Sequence, residues 1–450
     1  MIPSVTVSRT PQPLRIAVVG AGPAGLAMAR ALKQSGHDFS VFERNQDVGG
    51  IWDPDHVGSP MYDAAHFISS KGAENSTFEG HPFPESAAIY PSHKEVLDYL
   101  RTFAKDEGLL PNVTLGCGVS DAVQSSDGIW HVTTDDGKQS TFDALVCCSG
   151  TLWDPVVPNI TGRFSGVARH AVSYRSSAEV CDKNVLVVGC GNSGADIASD
   201  MTKTAKSVTL SMRRGYWFVP KFIAGQPSDM VFSGKAKLPD WVAPPDPASL
   251  LTLLTGQPST FGLPDPDHPP FASHPVMNSD IPIHVGHGRI LPKPDVAKFD
   301  DQIVHFTDGS NTAYDEVVFA TGYRVSAPFL RDAELTPESG NRPDLWMRVA
   351  HRNNPDLYAL GMIETNSSVY RLFDKGAHLI VAMIEARADM TKSMQLSLPA
   401  LPFDETDLAG ENTKISSDRH FGYVDSRIYS KALDEALSAW KIWHAATICP

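Results

Sequence analysis

Two glycine-rich stretches have the spacing of nucleotide-binding turns. The first is GAGPAG at residues 20–25, and the second is GCGNSG at residues 189–194. In such a turn the first glycine permits a tight bend, the second lets the backbone approach a pyrophosphate, and the third allows a helix and a strand to pack closely. The helix that follows presents free N–H groups and the positive end of its dipole to the phosphates. Each stretch therefore predicts a dinucleotide site.

The first stretch lies within a complete strand–turn–helix–strand unit. Residues 16–19 and 40–42 are predicted strands, and residues 26–34 have the composition of a helix. The second strand ends at Glu43, where a carboxylate can bind ribose hydroxyls and disfavours a 2′-phosphate. A glycine pair then precedes Trp52 and suits a loop that passes close to a bulky ligand. This site suits FAD or NAD.

The second glycine-rich stretch is followed by a strand that ends in basic residues rather than in an acid. It follows a predicted strand at residues 184–188, and the next predicted strand, residues 207–212, is followed by Arg213 and Arg214. A guanidinium can bind a 2′-phosphate through two hydrogen bonds. The pair therefore favours NADPH, although two solvated arginines at a strand end are the alternative. FAD at one site and NADPH at the other imply hydride transfer from nicotinamide to flavin.

The composition restricts the partners and the compartment. The chain has 450 residues and a net charge of −14, so it suits two or three domains and lacks the excess of basic residues that nucleic-acid binding requires. None of its six cysteines forms a Cys-x-x-Cys pair, which argues against a zinc ribbon and a dithiol reductase. Reduced thiols suggest a cytoplasmic location. With neither a signal peptide nor an apolar window of about 18 residues, no membrane span is expected.

Two histidine-containing stretches, GHPFP and DHPPFASHP, invite a metal-binding interpretation. Prolines interrupt both of them, and no cysteine or carboxylate stands at a spacing that would complete a site. We therefore predict no bound metal.

A third pattern lies between the two glycine-rich stretches. The segment FSGVARHAVSYR has the form Phe164-x-Gly166-x-x-x-His170-x-x-x-Tyr174-Arg175. It resembles the fingerprint of the flavin-containing monooxygenase family, within the class B flavoprotein monooxygenases, and matches every specified position. The related Baeyer–Villiger monooxygenases end a similar motif with Trp and then Pro or Asp. Further segments that resemble the family lie at residues 65–71, 80–85, 210–221 and 315–324.

The resemblance implies a flavin-dependent monooxygenase. NADPH would reduce FAD, and O₂ would add to the reduced flavin to give a C4a-hydroperoxyflavin that oxygenates a soft nucleophile, an amine nitrogen or a sulfide sulfur. Little acid–base chemistry is required of the protein, so we name no catalytic residue. Baeyer–Villiger-type ketone oxygenation, an NADPH oxidase or reductase, and a non-catalytic nucleotide sensor are the alternatives. The expected partners are a small-molecule substrate and O₂, and a homodimer is the usual oligomer.

The residues and the resemblance together predict the cofactor contacts. The predicted FAD contacts are Gly20, Gly22, Pro23, Ala24, Gly25, Glu43, Arg44, Gly50, Trp52, Ser70, Thr321 and Gly322. The predicted NADPH contacts are Tyr174, Gly189, Gly191, Asn192, Ser193, Gly194, Arg213 and Arg214. The linker motif, which is expected to couple the positions of the two cofactors, contributes Phe164, Gly166, His170 and Arg175.

One position departs from the family. Eukaryotic members often have an asparagine near the flavin where this chain has Ile68. Ser69 and Ser70 are candidates to replace its amide, as are the backbone and NADP⁺.

The expected fold is α/β, with two Rossmann-like dinucleotide-binding domains, the NADPH domain being inserted into the FAD domain. We assign residues 1–173 and 320–450 to the FAD domain and residues 174–319 to the NADPH domain. Within the latter, the proline-rich residues 236–294 predict irregular structure with a short helix at 247–254, as either a pocket lid or a structural insertion. Residues 373–390 have helical spacing. Their first turn, DKGAH, either faces the flavin pyrimidine ring or belongs to an ordinary core helix.

Overall fold

The protein is described by a computed structural model that covers residues 14–239, 246–272, 275–330, 335, 343, 345–389, 408–410 and 422–448. The strands in these residues are β1 (Arg15–Val19), β2 (Asp38–Phe42), β3 (Val113–Thr114), β4 (Val119–Gln124), β5 (Trp130–Thr134), β6 (Gln139–Phe142), β7 (Ala144–Cys147), β8 (Asp154–Pro155), β9 (Val167–His170), β10 (Asn184–Val188), β11 (Ser207–Ser211), β12 (Phe222–Ile223), β13 (Gln226–Pro227), β14 (Ile290–Lys293), β15 (Val296–Asp300), β16 (Ile303–Phe306), β17 (Asn311–Ala313), β18 (Glu316–Phe319), β19 (Tyr323–Arg324), β20 (Leu345–Trp346), β21 (Ala350–His351), β22 (Leu357–Ala359), β23 (Glu364–Thr365) and β24 (Tyr423–Val424). The helices are α1 (Pro23–Gln34), α2 (His93–Asp106), α3 (Asn192–Met201), α4 (Ser228–Phe232), α5 (Pro247–Thr255), α6 (Asp280–Gly286), α7 (Tyr370–Asp389) and α8 (Ser426–Ile448).

The first sheet has the strand order β20-β21-β22-β7-β1-β2-β3. Its interior strand β1 pairs in parallel with β2 on one side and with β7 on the other. β22 joins β7 in parallel, and β20 and β21 extend the sheet as an antiparallel edge. β1 and β7 are apolar and almost wholly buried, as parallel strands covered on both faces are. The turn after β1 therefore begins at the carboxyl edge of the parallel part of the sheet.

The second sheet is wholly parallel and has the order β14-β11-β10-β18-β9. Its strands come from the chain between β7 and β20, that is, between the two groups of strands that form the first sheet. β10 repeats the role of β1, because it leads through the second glycine-rich turn into α3. The predicted fold class is confirmed as α/β, with one dinucleotide-binding domain inserted into another.

Several elements differ in extent from the prediction. β9 pairs with β18 in the second sheet, so the chain enters that sheet before the predicted boundary between residues 173 and 174. Helix α7 begins at Tyr370, three residues earlier than predicted, because the apolar spacing marks only its buried face and not its first turn. DKGAH therefore lies in the second turn. The proline-rich residues contain α6 and β14 as well as the predicted α5.

Helix α8 packs against α7 and has no counterpart in the prediction. Its Trp440 is fully buried and donates a hydrogen bond from Nε1 to the Ala382 carbonyl oxygen of α7, at 2.9 Å. The Trp440 ring also contacts the rings of Trp346 and Trp443, with centroids 6.1 and 5.1 Å away. Within the described residues, none of the helices combines the length and apolar composition that crossing a membrane requires.

A buried ion pair joins α1 to α7. Nη2 of Arg30 lies 2.5 Å from Oδ1 of Asp374, and both side chains are almost fully buried. Oδ2 of Asp374 accepts a hydrogen bond from the backbone N–H of Glu79 at 2.8 Å. Burial raises the pKa of Asp374 to about 6, although Arg30 opposes that shift. The pair therefore fixes α1, the helix that follows the first glycine-rich turn, against α7.

We predict that Arg30→Met lowers the free energy of unfolding by about 3–5 kcal/mol at pH 8, because it leaves a buried carboxylate without its cation. The folded-state pKa of Asp374 lies above its ordinary value of 3.8, so the folded state takes up the proton first and stability falls as pH rises between the two values. Removing Arg30 raises the folded-state pKa further, and the loss should therefore be smaller at pH 5 than at pH 8.

Urea denaturation followed by far-ultraviolet circular dichroism at both pH values measures this difference. Arg30→Met/Asp374→Asn is the matched control, and it should recover much of the stability at pH 8 because no charge is left buried. An equal loss at pH 5 and pH 8 for Arg30→Met would contradict the prediction.

Candidate functional site

One cleft of about 1960 Å³ is lined by the carboxyl ends of both β1 and β10. Ligand pockets usually measure about 300–1,000 Å³, so this volume suits two large ligands. The predicted residues that line it are Gly20, Gly22, Pro23, Ala24, Glu43, Arg44, Gly50, Trp52, His170, Gly189, Gly191, Asn192, Ser193, Gly194, Arg213, Arg214, Thr321 and Gly322. Both glycine-rich turns therefore face the same space.

The first turns of α1 and α3 have the form that a pyrophosphate requires. Gly22 precedes α1 and Gly191 precedes α3, and neither helix has a side-chain cap. Their first N–H groups have no partner within the helix and stay available to an anion. These two helix ends therefore fit the pyrophosphates of two dinucleotides.

The third glycine of each turn allows the helix to pack closely against the turn. A Cβ atom on Gly25 would lie 1.8 Å from the Gly20 carbonyl oxygen, and one on Gly194 would lie 2.0 Å from that of Gly189. Neither position can hold another residue without moving the turn. Gly25 does not line the cleft, and its contact with FAD stays a prediction.

Glu43 lies at the end of β2 and is buried. Its Oε2 accepts the Ala21 backbone N–H at 2.7 Å, and its Oε1 accepts the backbone N–H and side-chain amide of Asn45, both at 2.9 Å. These donors fix an acceptor at the cleft wall, where a ribose hydroxyl could donate to it. Arg44 is exposed beside it, and its guanidinium carbon lies 5.0 Å from the centre of the Trp153 ring.

The two arginines after β11 differ in their surroundings. Arg214 lies over the Tyr216 ring, with its guanidinium carbon 5.7 Å from the ring centre. Arg213 is exposed on the cleft wall and makes no hydrogen bond or ion pair with any described residue. Arg213 is therefore the better placed of the two to bind a 2′-phosphate.

His170 connects the linker motif to the start of the second part of the FAD domain. Its Nδ1 accepts the Val172 backbone N–H at 3.1 Å, so Nε2 carries the proton and donates to the Gly322 carbonyl oxygen at 3.1 Å. Burial lowers the pKa of His170, which favours this neutral form. His170 thus holds the Thr321–Gly322 segment at the cleft, as a coupling element should.

The other linker residues lie away from the cleft and support the fold instead. Phe164 packs against Phe299, with ring centroids 5.6 Å apart, and Gly166 lies so close to the Asp315 carbonyl oxygen that a Cβ would be 2.7 Å from it. Arg175 donates from Nη1 to the carbonyl oxygens of Val172 and Tyr174 at 2.8 and 2.9 Å. None of these three residues lines the cleft. Their contact with a cofactor stays a prediction.

Tyr174, a predicted NADPH contact, lies buried against α3. Its side chain is fully buried, and its hydroxyl donates to Oδ2 of Asp200 on α3 at 2.6 Å. Burial and the Asp200 carboxylate raise the pKa of Tyr174, so the phenol stays protonated. The residue anchors the linker to α3 rather than lining the cleft.

Ser70 has another partner than the predicted FAD. Its backbone N–H and hydroxyl donate to the two carboxylate oxygens of Asp229 on α4, at 2.6 and 2.9 Å. Ser70 is 1% exposed and does not line the cleft. The contact instead ties the loop that contains Ser70 to α4, which precedes the proline-rich insertion.

Sequence reasoning missed several polar residues of the cleft. Asp196 is the clearest, because its carboxylate accepts from the Asn278 amide at 2.7 Å and from the Tyr62 hydroxyl at 3.3 Å. Burial raises the pKa of Asp196. Its position one helical turn after Asn192 could have indicated that it faces the cleft. Asn75 also lines the cleft, and no pattern in the sequence marks it.

Asn192 connects α3 to the proline-rich insertion. Its Oδ1 accepts the Met277 backbone N–H at 2.8 Å, and its Nδ2 donates to the Pro275 carbonyl oxygen at 3.4 Å. Pro247 and Phe271 of the same insertion also line the cleft. In the described residues we find no group of histidine, cysteine and carboxylate side chains that could hold a metal.

Fold and cleft together define a flavin-dependent oxidoreductase with two dinucleotide-binding domains. The family described as "Flavin-binding monooxygenase-like" matches residues 13–400. The rat protein "Flavin-containing monooxygenase 5" is 30% identical over 439 residues, which cover 92% of this chain and 79% of the rat protein. The chain belongs to this flavin monooxygenase family, and it is an NADPH-dependent enzyme that uses FAD.

Solved structures support the same fold. The S-allyl-L-cysteine S-oxygenase of Allium sativum superposes with a TM-score of 0.66 at 21% identity, covering 97% of this chain and 92% of that chain. The OTEMO complex with FAD and NADP gives a TM-score of 0.66 at 17% identity, covering 84% of this chain and 87% of that chain. At these identities the likeness concerns the fold alone.

We predict that Tyr174→Phe lowers the free energy of unfolding by about 1–3 kcal/mol, because a buried carboxylate loses a hydrogen-bond donor. The KM for NADPH should stay unchanged, since Tyr174 is 0% exposed. Thermal unfolding of the holoenzyme and steady-state kinetics measure the two effects. A raised KM for NADPH with unchanged thermal stability would show instead that the hydroxyl contacts the nucleotide.

Proposed function

We propose that this enzyme uses NADPH and O₂ to oxygenate a soft nucleophile, namely an amine nitrogen or a sulfide sulfur. The observation that carries the proposal is the single cleft into which both glycine-rich turns open. In the overall reaction NADPH, a proton, O₂ and the substrate give NADP⁺, water and the oxygenated substrate. Bound FAD would supply hydride acceptance and O₂ activation.

The residues of the chain bind and orient rather than transfer protons. The turns before α1 and α3 would hold the two pyrophosphates, and Glu43 would hold a ribose. His170 fixes Gly322 at the place where the chain re-enters the FAD domain. Asn192 fixes the insertion that covers part of the cleft. Walls of this kind exclude water, which protects a reactive oxygenating species from side reactions.

The cysteines favour an oxygenase over a dithiol reductase. Cys147 is the last residue of β7 and Cys148 follows it. Burial raises the pKa of both thiols. A high thiol pKa disfavours the thiolate that redox exchange requires. The five cysteines of the described residues are all free thiols, and Cys449 lies outside those residues. No redox disulfide competes for the electrons within this part of the chain.

The garlic enzyme that shares the fold is named as an S-oxygenase, which supports a sulfur nucleophile as one candidate substrate. The linker motif ends in Tyr174 and Arg175 rather than in the pattern of the ketone oxygenases. Both observations favour amine or sulfide oxygenation over ketone oxygenation.

Location and assembly belong to the same proposal. Free thiols at Cys117, Cys147, Cys148, Cys181 and Cys190 support a reducing compartment, which we propose to be the cytoplasm. A homodimer is proposed from the general preference of oligomers for twofold symmetry. Gel filtration with light scattering would measure the assembly.

We predict that Arg213→Ala raises the KM for NADPH by about 10- to 150-fold, the range that follows from losing a hydrogen bond to a charged group. The KM for NADH should change little, because NADH has no 2′-phosphate. Arg214→Ala is the matched control and should have the smaller effect, since Arg214 lies over Tyr216. Equal losses with both nucleotides for Arg213→Ala would contradict the assignment of the 2′-phosphate to this residue.

We predict that the holoenzyme transfers one ¹⁸O atom from ¹⁸O₂ to a tertiary amine or a thioether for each NADPH consumed. The test follows NADPH absorbance and product mass with an amine, a thioether and a cyclic ketone in parallel. Conversion of the ketone alone to a labelled ester would overturn the assignment to soft nucleophiles. NADPH oxidation without labelled product from any of the three would favour an oxidase.

A further inference from the structure

Asn75 presents an unsatisfied amide to the cleft. The residue is 5% exposed and lines the cleft. Its side-chain amide makes no hydrogen bond with any described residue. The amide atoms are not fully enclosed by protein. Its backbone carbonyl accepts the Tyr370 N–H at 3.0 Å, which fixes the residue at the first turn of α7. A buried amide costs free energy unless it has a partner, so a ligand in the cleft is expected to supply one.

The position of Asn75 corresponds to one end of the FAD site. The Glu43 end fits the adenosine, and the turn before α1 fits the pyrophosphate. Beyond that turn the cleft continues past Trp52, whose ring is 5.4 Å from Phe67, and the Phe67 ring is 5.6 Å from Tyr370. FAD is elongated, so a molecule with its pyrophosphate at the turn before α1 can extend its isoalloxazine ring toward this end, next to the first turn of α7.

The other polar groups near this end have partners of their own. The Ser70 hydroxyl donates to Asp229, and the Ser76 hydroxyl donates to the Ser70 carbonyl oxygen at 2.7 Å. The Asn366 amide donates to Asp425 and accepts the Ser426 N–H. Only Ser69 resembles Asn75 within the described part of the chain, because it is 5% exposed, lines the cleft and has no hydrogen-bond partner there.

We propose that the side-chain amide of Asn75 hydrogen-bonds the isoalloxazine ring of bound FAD and favours its reduced form. The inference rests on the proposed function insofar as it places FAD at the first glycine-rich turn. A carboxamide both donates and accepts, so it complements a ring edge that carries carbonyl oxygens and an N–H group. Asn75 would thus place a side-chain amide beside the flavin, which Ile68 cannot do.

The effect on the reduced form follows from charge. Reduction by hydride adds electron density to the ring, and hydrogen bonds to charged groups are stronger than those to neutral groups. The free-energy difference between these two kinds of hydrogen bond corresponds to about fivefold tighter binding of reduced FAD than of oxidised FAD. Loss of the amide removes this fivefold preference, and for a two-electron couple this lowers the midpoint potential by about 20 mV.

The test compares bound FAD in four variants of the holoenzyme under anaerobic conditions. Asn75→Leu removes the amide at similar volume, Asn75→Asp replaces its donor with a carboxylate, and Ser69→Ala removes the neighbouring hydroxyl. Asn112→Leu is the matched control, because its half-buried amide donates to the Phe39 carbonyl oxygen at 3.2 Å and does not line the cleft. The midpoint potential is measured against a reference dye, the dissociation constant of FAD by flavin fluorescence, and folding by circular dichroism.

We expect Asn75→Leu to lower the midpoint potential by about 20 mV, Asn75→Asp to lower it further, and Asn112→Leu to leave it unchanged. Parent-like potentials and FAD affinities in both Asn75 variants would overturn the proposal. A shift confined to Ser69→Ala would overturn it in favour of the serine. Since neither measurement involves substrate oxygenation, failure of the parent to oxygenate any substrate would count against the proposed function and leave this test intact.

Discussion

Hydride transfer between two bound nucleotides requires that the nicotinamide and the flavin meet within about 3–3.5 Å. Each nucleotide is held by the turn after a central strand, so the carboxyl edges of the two sheets must face one another. Both turns line one cleft, and the relative position of the two domains is therefore the constraint on which the rest depends. A shift between the domains would separate the cofactors even if each site remained intact.

Polar contacts between the two parts of the chain maintain that position. Ser70 binds Asp229, Tyr62 binds Asp196, and His170 binds the carbonyl oxygen of Gly322. All three contacts involve buried groups, for which an unmade hydrogen bond costs about 1–3 kcal/mol. The nested topology adds to them, because the second sheet is connected to the first at both of its ends. The motif between the two glycine-rich stretches thus acts mainly as a brace, with one residue, His170, reaching the cleft.

The two glycine-rich turns that line the cleft could be located from the sequence because they obey local rules. A glycine spacing, an acid or arginine at a strand end, and a period of apolar residues all refer to neighbours along the chain. The strand Asn184–Val188 matches its prediction at both ends, and α5 matches within a residue. The contacts of Tyr174 with Asp200 and of Ser70 with Asp229 could not be predicted, because only tertiary packing brings these partners together.

The same limit explains the residues that were missed. Asn75 lines the cleft because its loop reaches the first turn of α7, almost three hundred residues later in the chain. No spacing rule connects those two segments. Helix α8 escaped prediction for a related reason, since its buried residues, including Trp440, are defined by packing against α7 and β20 rather than by a clear apolar stripe.

The most direct measurement of the central claim is a two-step stopped-flow absorbance experiment on the holoenzyme. The enzyme is first reduced with NADPH in the absence of oxygen and then mixed with oxygenated buffer without substrate. If the cleft holds both cofactors and excludes water, a near-ultraviolet absorbance band distinct from oxidised and reduced flavin should persist before the oxidised spectrum returns. Direct return to the oxidised spectrum, with no such band, would contradict the account.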